Sequence, residues 1–314
     1  MNLQQFITSE FGTKLWMSLG RSLPPSAGHA LARIVTGIVS RRRHASIYRI
    51  LYDNQAGVRG RDTAPEILHR AVGRVLEHAG MTAYDLMHTV AQGEAAIQAA
   101  VTFEDDFWTN INAAKAAGRG VMICGCHTSA FNLAFLAWST FDDVPTVQVL
   151  SPPGPAGGFK VMQELRAQPK VLDTPIDGSS LRNAIALMRA GGYVATGVDW
   201  PLAAAPDDRV PFFGRLAHLP TGHIRLAISG HALLLPMACH WDPVRGYRAM
   251  TGEPMELELT GDRAGDVQHN ARRMLAVMER WIAAAPEQWL MYHRVWPEDG
   301  VDVKGGAGGA GGQG

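Results

Sequence analysis

The sequence predicts an α/β protein in which a mixed, mostly parallel sheet is flanked by helices and preceded by a helical layer. Up to about residue 100, apolar residues recur at helical spacing. Beyond that point, short apolar runs alternate with helical segments of about ten to fifteen residues, a pattern typical of a helix-covered sheet. Hydrophobic residues make up 46% of the 314 and charged residues only 18%, so the chain can bury a core and wholesale disorder is excluded.

Composition divides the chain into three regions. Residues 1–100 form a helical region, residues 101–300 an α/β domain, and residues 301–314 a Gly-rich tail that is expected to be disordered. Helices in the first region are predicted over 26–39, 44–55, 64–79 and 82–98, with breaks at Pro24-Pro25, Gly57–Gly60 and Gly80.

The elements of the α/β region alternate in chain order. Strands are predicted at Val121–Cys126, Thr146–Leu150, near Val171, and at Tyr193–Val198, Ala232–His240, 246–251 and 255–259, the last two antiparallel. Helices are predicted at 104–117, 130–139, 159–167, 179–190, 222–229 and 263–284, with loops at Ser151–Gly158 and 200–221. Sheets of this kind bind ligands at the carboxyl ends of their strands, which is where we expect the site.

Charge and cysteine content limit the function classes. The 29 basic and 29 acidic residues cancel, which argues against broad nucleic-acid binding. Three cysteines are too few for a disulfide framework, so the reducing cytoplasm is the expected compartment. No run of about 18 apolar residues predicts a membrane-spanning helix.

The zero net charge conceals a basic N-terminal region. Residues 1–70 carry ten Lys and Arg against four acids, which leaves nineteen against twenty-five in the rest of the chain. Apolar residues from Phe6 to Leu19 recur at helical spacing, and Arg41–Arg43 follow a second apolar helix. Two interpretations stay open and are compatible: these helices contact a membrane surface or an anionic ligand, or they pack on the protein itself.

The strongest local signal for chemistry lies at the end of the strand Val121–Cys126. His127 follows this strand directly, and a helix is predicted to begin within three residues. An imidazole at a strand end and close to a helix N-terminus is well placed over a cleft, where it can act as a general base on a hydroxyl or amine. A purely structural histidine is the alternative.

Four ordered segments carry a family resemblance. They are Gly120–Ala134, Arg182–Asp199, Val210–Gly214 with Leu219–Gly222, and Ala285–Trp296. Together they resemble the bacterial lipid A lauroyl/myristoyl acyltransferase family, which includes the phosphatidylinositol mannoside acyltransferases. The resemblance implies a glycerolipid acyltransferase-like fold. It also implies transfer of a fatty acyl group from an acyl carrier protein or CoA thioester to a hydroxyl or amine of a lipid, glycolipid or metabolite.

The resemblance further implies a protein that uses no metal or other cofactor and lies peripherally on the inner face of the cell membrane. In the family's H-x4-D/E motif the histidine is the base and the acid orients it, which makes His127 the base and puts Asn132 at the acid position. An amide can orient an imidazole but cannot stabilise imidazolium by charge. Three outcomes follow: a slower acyltransferase, one that takes a carboxylate from elsewhere such as Asp199, or a degenerate relative that binds acyl chains or a partner.

Substrate contacts are expected on both sides of this motif. Arg166 lies where the family has a basic residue and could bind a phosphate, a solvated helix arginine being the alternative. Phe212, Phe213 and Gly214 are expected to line the acceptor cleft, with simple packing of the two phenylalanines as the alternative. Asp199 is a further expected site residue, although a structural aspartate at a strand end fits the pattern too.

Cys126 suggests a different enzyme class. A thiolate beside His127 could accept the acyl group, as in an acyl hydrolase or condensing enzyme. The side chains of adjacent strand residues point to opposite faces of a sheet, which disfavours a direct contact between Cys126 and His127. A zinc site formed by Cys124, Cys126 and His127 is disfavoured because no second ligand pair stands at the usual spacing.

Overall fold

The structure is a computed structural model that describes residues 18, 20, 22–151, 170–201 and 209–296. The apolar pattern from Phe6 to Leu19, the predicted helix 159–167 with Arg166, and the tail 301–314 lie wholly or almost wholly outside the described residues.

Between Pro25 and Ala99, four helices precede the sheet and form the predicted helical layer. They are α1 (Pro25–Ser40), α2 (Ser46–Arg59), α3 (Pro65–Gln92) and α4 (Glu94–Ala99). The predicted break at Gly80 is wrong, because α3 runs straight through it. A Cβ at Gly80 would lie 2.9 Å from Cγ2 of Thr36 and 3.3 Å from Cβ of Ala32. The glycine therefore lets α1 approach α3 closely and does not end a helix.

The break predicted at Gly57–Gly60 occurs at the end of that range, and Gly57 itself lies inside α2. A Cβ at Gly57 would lie 2.3 Å from Cζ3 of Trp296, so the missing side chain makes room for an indole. Helix α2 ends at Gly60 instead, where φ is +100°, a conformation that favours glycine.

A seven-stranded sheet forms the body of the molecule. The strands are β1 (Val101–Phe103), β2 (Val121–Gly125), β3 (Val147–Ser151), β4 (Val171–Pro175), β5 (Tyr193–Gly197), β8 (Leu233–Asp242) and β9 (Gly246–Thr251), and a separate hairpin comprises β6 (Val210–Phe212) and β7 (Arg215–Ala217). The order is β1-β9-β8-β2-β5-β3-β4. Strands β2, β3, β4, β5 and β8 are parallel, and β9 pairs antiparallel with β8 and parallel with β1. The predicted α/β class with a mixed, mostly parallel sheet is confirmed.

Helices cover both faces of the sheet. They are α5 (Asp105–Ala116), α6 (Phe131–Ser139), α7 (Gly178–Arg189), α8 (Gly222–Gly230) and α9 (Arg263–Ala284), followed by a 3-10 turn at Pro286–Gln288. Successive residues of β2 point to opposite faces of the sheet. Met122 packs with residues of α7, α8 and α9, and Ile123 packs with residues of α5 and α6. A third cluster joins α2 and α3 to Leu290, in the segment that follows α9.

Three short elements differ from prediction. Strand β1 and the β6–β7 hairpin were not predicted, because three-residue strands are too short to show alternation. The predicted strand at 255–259 is reduced to a single bridge between Met255 and Leu234. Beyond it, Asn270 of α9 bonds both the backbone N–H and the carbonyl of Glu258, and so occupies groups that a strand partner would use.

Candidate active site

Two neighbouring parallel strands end together and define the site. Strands β2 and β5 pair so that Gly125 lies opposite Gly197. His127 and Asp199 each stand two residues beyond these glycines. Because parallel strands end at the same edge of a sheet, equal steps past a paired position bring the two side chains together. Nδ1 of His127 lies 2.6 Å from Oδ1 of Asp199.

Gly197 leaves the space that the imidazole occupies. A Cβ at this position would lie 2.6 Å from Cε1 of His127 and 3.4 Å from its Nε2. Contacts below 3 Å are not tolerated, so a larger residue here would displace the ring. The small residue at the end of β5 is thus part of what positions the histidine.

Asp199 is fully buried and receives three hydrogen bonds. Besides the ring of His127, the backbone N–H of His127 donates to Oδ2 at 2.8 Å, and Nε1 of Trp289 donates to the same oxygen at 2.8 Å. Burial by itself raises the pKa of Asp199, but the neighbouring imidazole and the N–H donors outweigh burial and hold this pKa below its ordinary value. Asp199 is therefore an ionised carboxylate.

The carboxylate fixes the tautomer of His127. An ionised Asp199 can only accept, so in the neutral imidazole Nδ1 carries the proton and Nε2 has the lone pair. The side chain of His127 is 18% exposed, and no residue within the described ranges forms a hydrogen bond with Nε2. This arrangement can accept a proton at Nε2 and stabilise the resulting imidazolium by charge.

Aromatic rings lie close to the imidazole of His127. Phe131 lies 4.8 Å and Trp200 5.3 Å from the imidazole of His127, measured between ring centroids. The ring of His293 lies 4.1 Å from that of Trp200. Burial, together with the nearby His127, lowers the pKa of His293, so this second imidazole is neutral. The rings of Phe131 and Trp200 thus flank the imidazole of His127.

The segment after α9 holds the loop that carries His127. Its residue Leu290 donates from its backbone N–H to the carbonyl of His127 at 2.7 Å. The backbone N–H of Ser129 donates to the carbonyl of Gln288 at 2.8 Å. Ser129 has a φ of +48°, a left-handed conformation that a non-glycine residue adopts only when its surroundings enforce it.

The N-terminal helices hold this segment in turn. The side-chain amide of Asn54 in α2 donates to the carbonyls of Met291 at 3.0 Å and His293 at 2.8 Å. The amide of Gln55 donates to the carbonyl of Pro286 at 2.8 Å. Helix α2 therefore positions the Trp289 donor of the site indirectly, through buried polar contacts that only a specific packing satisfies.

Helix α3 reaches the same loop from behind. Nε2 of His78 lies 3.0 Å from Oγ of Ser129, and both side chains are buried. Burial and the nearby His240 lower the pKa of His78 to about 4, which makes it a neutral hydrogen-bonding partner at ordinary pH.

Comparison with known proteins decides the family. The family model of bacterial lipid A biosynthesis acyltransferases matches residues 3–298. The chain belongs to this family. It is therefore an acyltransferase. A search of curated proteins gave no match. None of the helices in the described part of the chain is long and apolar enough to cross a membrane.

In this acyltransferase, the side chain that bonds the imidazole of His127 is Asp199. Asn132, the second residue of α6, is partly buried, but the Nδ1 atom of His127 is bonded to Asp199. The presence of Asn132 at the family's acid position left three outcomes open. The hydrogen bond to Asp199 fits the outcome in which another residue supplies the carboxylate. A contribution of Asn132 to catalysis stays a prediction.

The Phe212–Gly214 segment lies in the β6–β7 hairpin of the acyltransferase. Phe212 is fully buried, with its ring stacked on Trp296 at 5.7 Å and edge-on to Trp289 at 6.0 Å, so it packs against the indole that bonds Asp199. Phe213 and Gly214 form the turn, with φ of +49° and +71°. Their contact with an acceptor stays a prediction, as does that of Arg166, which the structure does not describe.

The thiol of Cys126 is buried beside the site. Burial raises its pKa strongly, and Sγ lies 3.7 Å from Oγ1 of Thr128. A protonated thiol is a poor nucleophile, and the imidazole next to it in sequence is bonded to Asp199. Among the described residues, no three His, Cys, Asp or Glu side chains gather as a metal site would require.

Proposed function

We propose that the protein transfers a fatty acyl group from an acyl carrier protein or CoA thioester to a hydroxyl or amine of a lipid, glycolipid or metabolite. Nε2 of His127 is the general base, and Asp199 orients and charge-stabilises it. The observation that carries the proposal is the 2.6 Å hydrogen bond between Nδ1 of His127 and a fully buried carboxylate. No metal or other cofactor is part of the proposed reaction.

The proposed step balances without further groups. Nε2 removes the proton of the acceptor hydroxyl while the acceptor oxygen attacks the thioester carbonyl, and an imidazolium forms beside ionised Asp199. The tetrahedral intermediate then collapses, the carbon–sulfur bond breaks, and the imidazolium returns the proton to the departing thiolate. An ester and a free thiol result.

The state of Asp199 supports an active site over a degenerate one. Burying an ionised carboxylate costs several kcal/mol unless donors compensate, and here three N–H groups are spent on it. Asp199 also ties the backbone of His127 to the indole of Trp289. The further contact with the imidazole places a negative charge where a general base becomes imidazolium, which an acyl-chain-binding protein does not need.

The remaining substrate contacts belong to the same proposal. Arg166 would bind a phosphate of donor or acceptor, Phe213 and Gly214 would contact the acceptor, and Asn132 would add a polar contact near the base. Peripheral attachment to the inner face of the cell membrane is also proposed. Its support is the excess of six basic groups in residues 1–70.

The test is a transfer assay with both donors. Purified protein is incubated with radiolabelled acyl carrier protein or acyl-CoA thioesters and a bacterial membrane lipid extract in detergent, and products are separated by thin-layer chromatography. We expect a labelled lipid product whose formation falls about 10²–10⁴-fold in His127→Gln. His44→Gln, at an exposed position after α1, is the matched control and should be unchanged.

Two results would contradict the proposal. One is product formation by His127→Gln at the rate of the unchanged protein. The other is a labelled acyl–protein adduct or free fatty acid that disappears in Cys126→Ser, which would favour the Cys126 enzyme.

A further inference from the structure

A groove runs along the outer side of the helical layer, between α1 and α3. Its cavity volume is about 310 Å³. Arg33 and Gly37 line it from α1, and Arg70, Gly73 and Arg74 line it from α3. The only carboxylate among the residues that line this groove is Glu77.

The positive charge of the groove is not neutralised by its own surroundings. Nε of Arg33 donates to Glu77 at 2.8 Å, which balances one of the three guanidinium groups. Nη1 of Arg74 lies 3.7 Å from a Glu287 oxygen that is only 2.5 Å from Arg59. Arg70 forms no ion pair with any residue in the described ranges. The groove therefore keeps an excess of positive charge that attracts an anion.

The floor of the groove is open because two glycines lie there. A Cβ at Gly37 or Gly73 would meet no atom within 4 Å, so neither glycine is needed for packing. The hydroxyl of Thr36 donates to the carbonyl of Ala32, and that of Ser40 donates to the carbonyl of Gly37. The donors left for a ligand are the guanidinium N–H groups, whose planar fork matches phosphate oxygens.

Exposed isoleucines flank the arginines. Ile34 is 62% and Ile38 49% exposed, one helical turn apart on α1, and Ile67 on α3 is 41% exposed. A free anion or a soluble acidic partner would need only the arginines. Large apolar side chains beside basic ones are typical of surfaces that lie in the headgroup region of a bilayer.

We infer that this groove binds the headgroup phosphate of an anionic phospholipid, with Ile34 and Ile38 entering the boundary between headgroups and acyl chains. The inference deepens the proposed membrane contact and rests on it, but it does not depend on the acyl-transfer chemistry. One helical turn beyond Arg74 on α3, His78 contacts the loop of His127 through Ser129. A bound phosphate thus sets the orientation of the active site relative to the membrane.

The test is cosedimentation of the full chain with vesicles of phosphatidylcholine, with and without phosphatidylglycerol. Gly73→Leu fills the groove without changing the charge, and Gly73→Ala is its matched control because one methyl group leaves most of the space open. We expect binding to the anionic vesicles, about fivefold weaker for Gly73→Leu and unchanged for Gly73→Ala. If the apolar surface alone drove binding, the added leucine would strengthen it, so the two explanations predict opposite signs.

A second pair of variants separates the groove from diffuse charge. Arg70→Gln and Arg42→Gln each remove one positive charge from the basic region, but only Arg70 lines the groove. We expect the larger loss for Arg70→Gln. Thermal unfolding followed by circular dichroism confirms that all four variants are folded.

Several outcomes would overturn the inference. Equal loss in Arg70→Gln and Arg42→Gln with full binding by Gly73→Leu would show diffuse attraction only. Binding of inorganic phosphate, CoA or acyl carrier protein that Gly73→Leu weakens, with vesicle binding unchanged, would assign the groove to a soluble ligand. Absence of binding to anionic vesicles would overturn both this inference and the proposed membrane contact. The transfer assay in detergent, where no bilayer is present, tests the acyl-transfer reaction separately.

Discussion

His127 belongs to the loop of residues 127–129, and His78 contacts the same loop through Ser129. The surroundings of these two histidines differ. Nδ1 of His127 bonds a buried carboxylate, and its ring keeps 18% exposure. His78 bonds a neutral hydroxyl, that of Ser129, and its pKa is lowered to about 4. The ring of His127 has a negative charge beside it, whereas burial penalises a proton on His78. In the proposed mechanism, this neighbouring carboxylate is what distinguishes the base from the other histidine.

The largest effect among the predictions for these two histidines is expected when Oδ2 of Asp199 loses a hydrogen-bond donor. Trp289→Phe removes one donor from this carboxylate while it retains an aromatic ring against Phe212. A hydrogen bond to a charged group contributes about 1.5–3 kcal/mol, so we expect kcat to fall about tenfold or more. The pKa of Asp199 should rise toward its ordinary value, and kcat is measured as a function of pH beside that of the unchanged protein.

Trp138→Phe is the matched control for Trp289→Phe. Trp138 is also fully buried, but its Nε1 has no hydrogen-bond partner among the described residues. This variant should keep both kcat and the pH profile. Equal effects of the two substitutions would show that the indole of Trp289 acts through packing alone.

For His78, we expect an effect on the pH dependence of stability and only a small effect on activity. The pKa of His78 is about 4 in the folded protein and about 6.5 in the unfolded chain, so the unfolded chain binds more protons as pH falls below 6.5. This histidine therefore costs stability at low pH, by about 1 kcal/mol at pH 5.5. In His78→Gln, the fall in unfolding free energy between pH 7.5 and 5.5, measured in urea, should be smaller by that amount. An unchanged fall would mean that His78 is not held neutral.

Cys126→Ser should have the smallest effect. The thiol is buried and protonated, and a serine hydroxyl can keep the contact with Thr128. The transfer rate should change by less than about tenfold, far below the 10²–10⁴-fold expected for loss of a general base. Loss of all transfer in a folded Cys126→Ser protein would point to covalent catalysis instead.

The spacing of apolar residues in short stretches of sequence predicted several elements of the fold correctly. Strand β2, the position of His127 at its end and the long helix α9 follow from short runs of sequence. The break predicted at Gly57–Gly60 occurs at the end of that range, and the break predicted at Gly80 was wrong. Gly57 and Gly80 serve contacts with Trp296 and with α1, which no local rule contains. Tertiary packing there overrides the usual meaning of a glycine in a helical pattern.

The carboxylate of the site could be suggested from sequence but not placed. Asp199 is 72 residues from His127, and their contact depends on β2 and β5 being neighbours with Gly125 opposite Gly197. Strand order is set by how helices pack on the sheet, which periodicity does not reveal. The bond between Trp289 and Asp199 likewise depends on a contact between residues that are distant in sequence.

The most direct test of the central claim compares Asp199→Asn with Asn132→Ala in the detergent transfer assay. If Asp199 is the carboxylate that serves His127, Asp199→Asn should lose about 10²–10⁴-fold in kcat, because an amide can neither fix the tautomer reliably nor stabilise imidazolium. Asn132→Ala should lose less than about tenfold, since it is not bonded to Nδ1. A large loss in Asn132→Ala with near-normal transfer by Asp199→Asn would contradict the account.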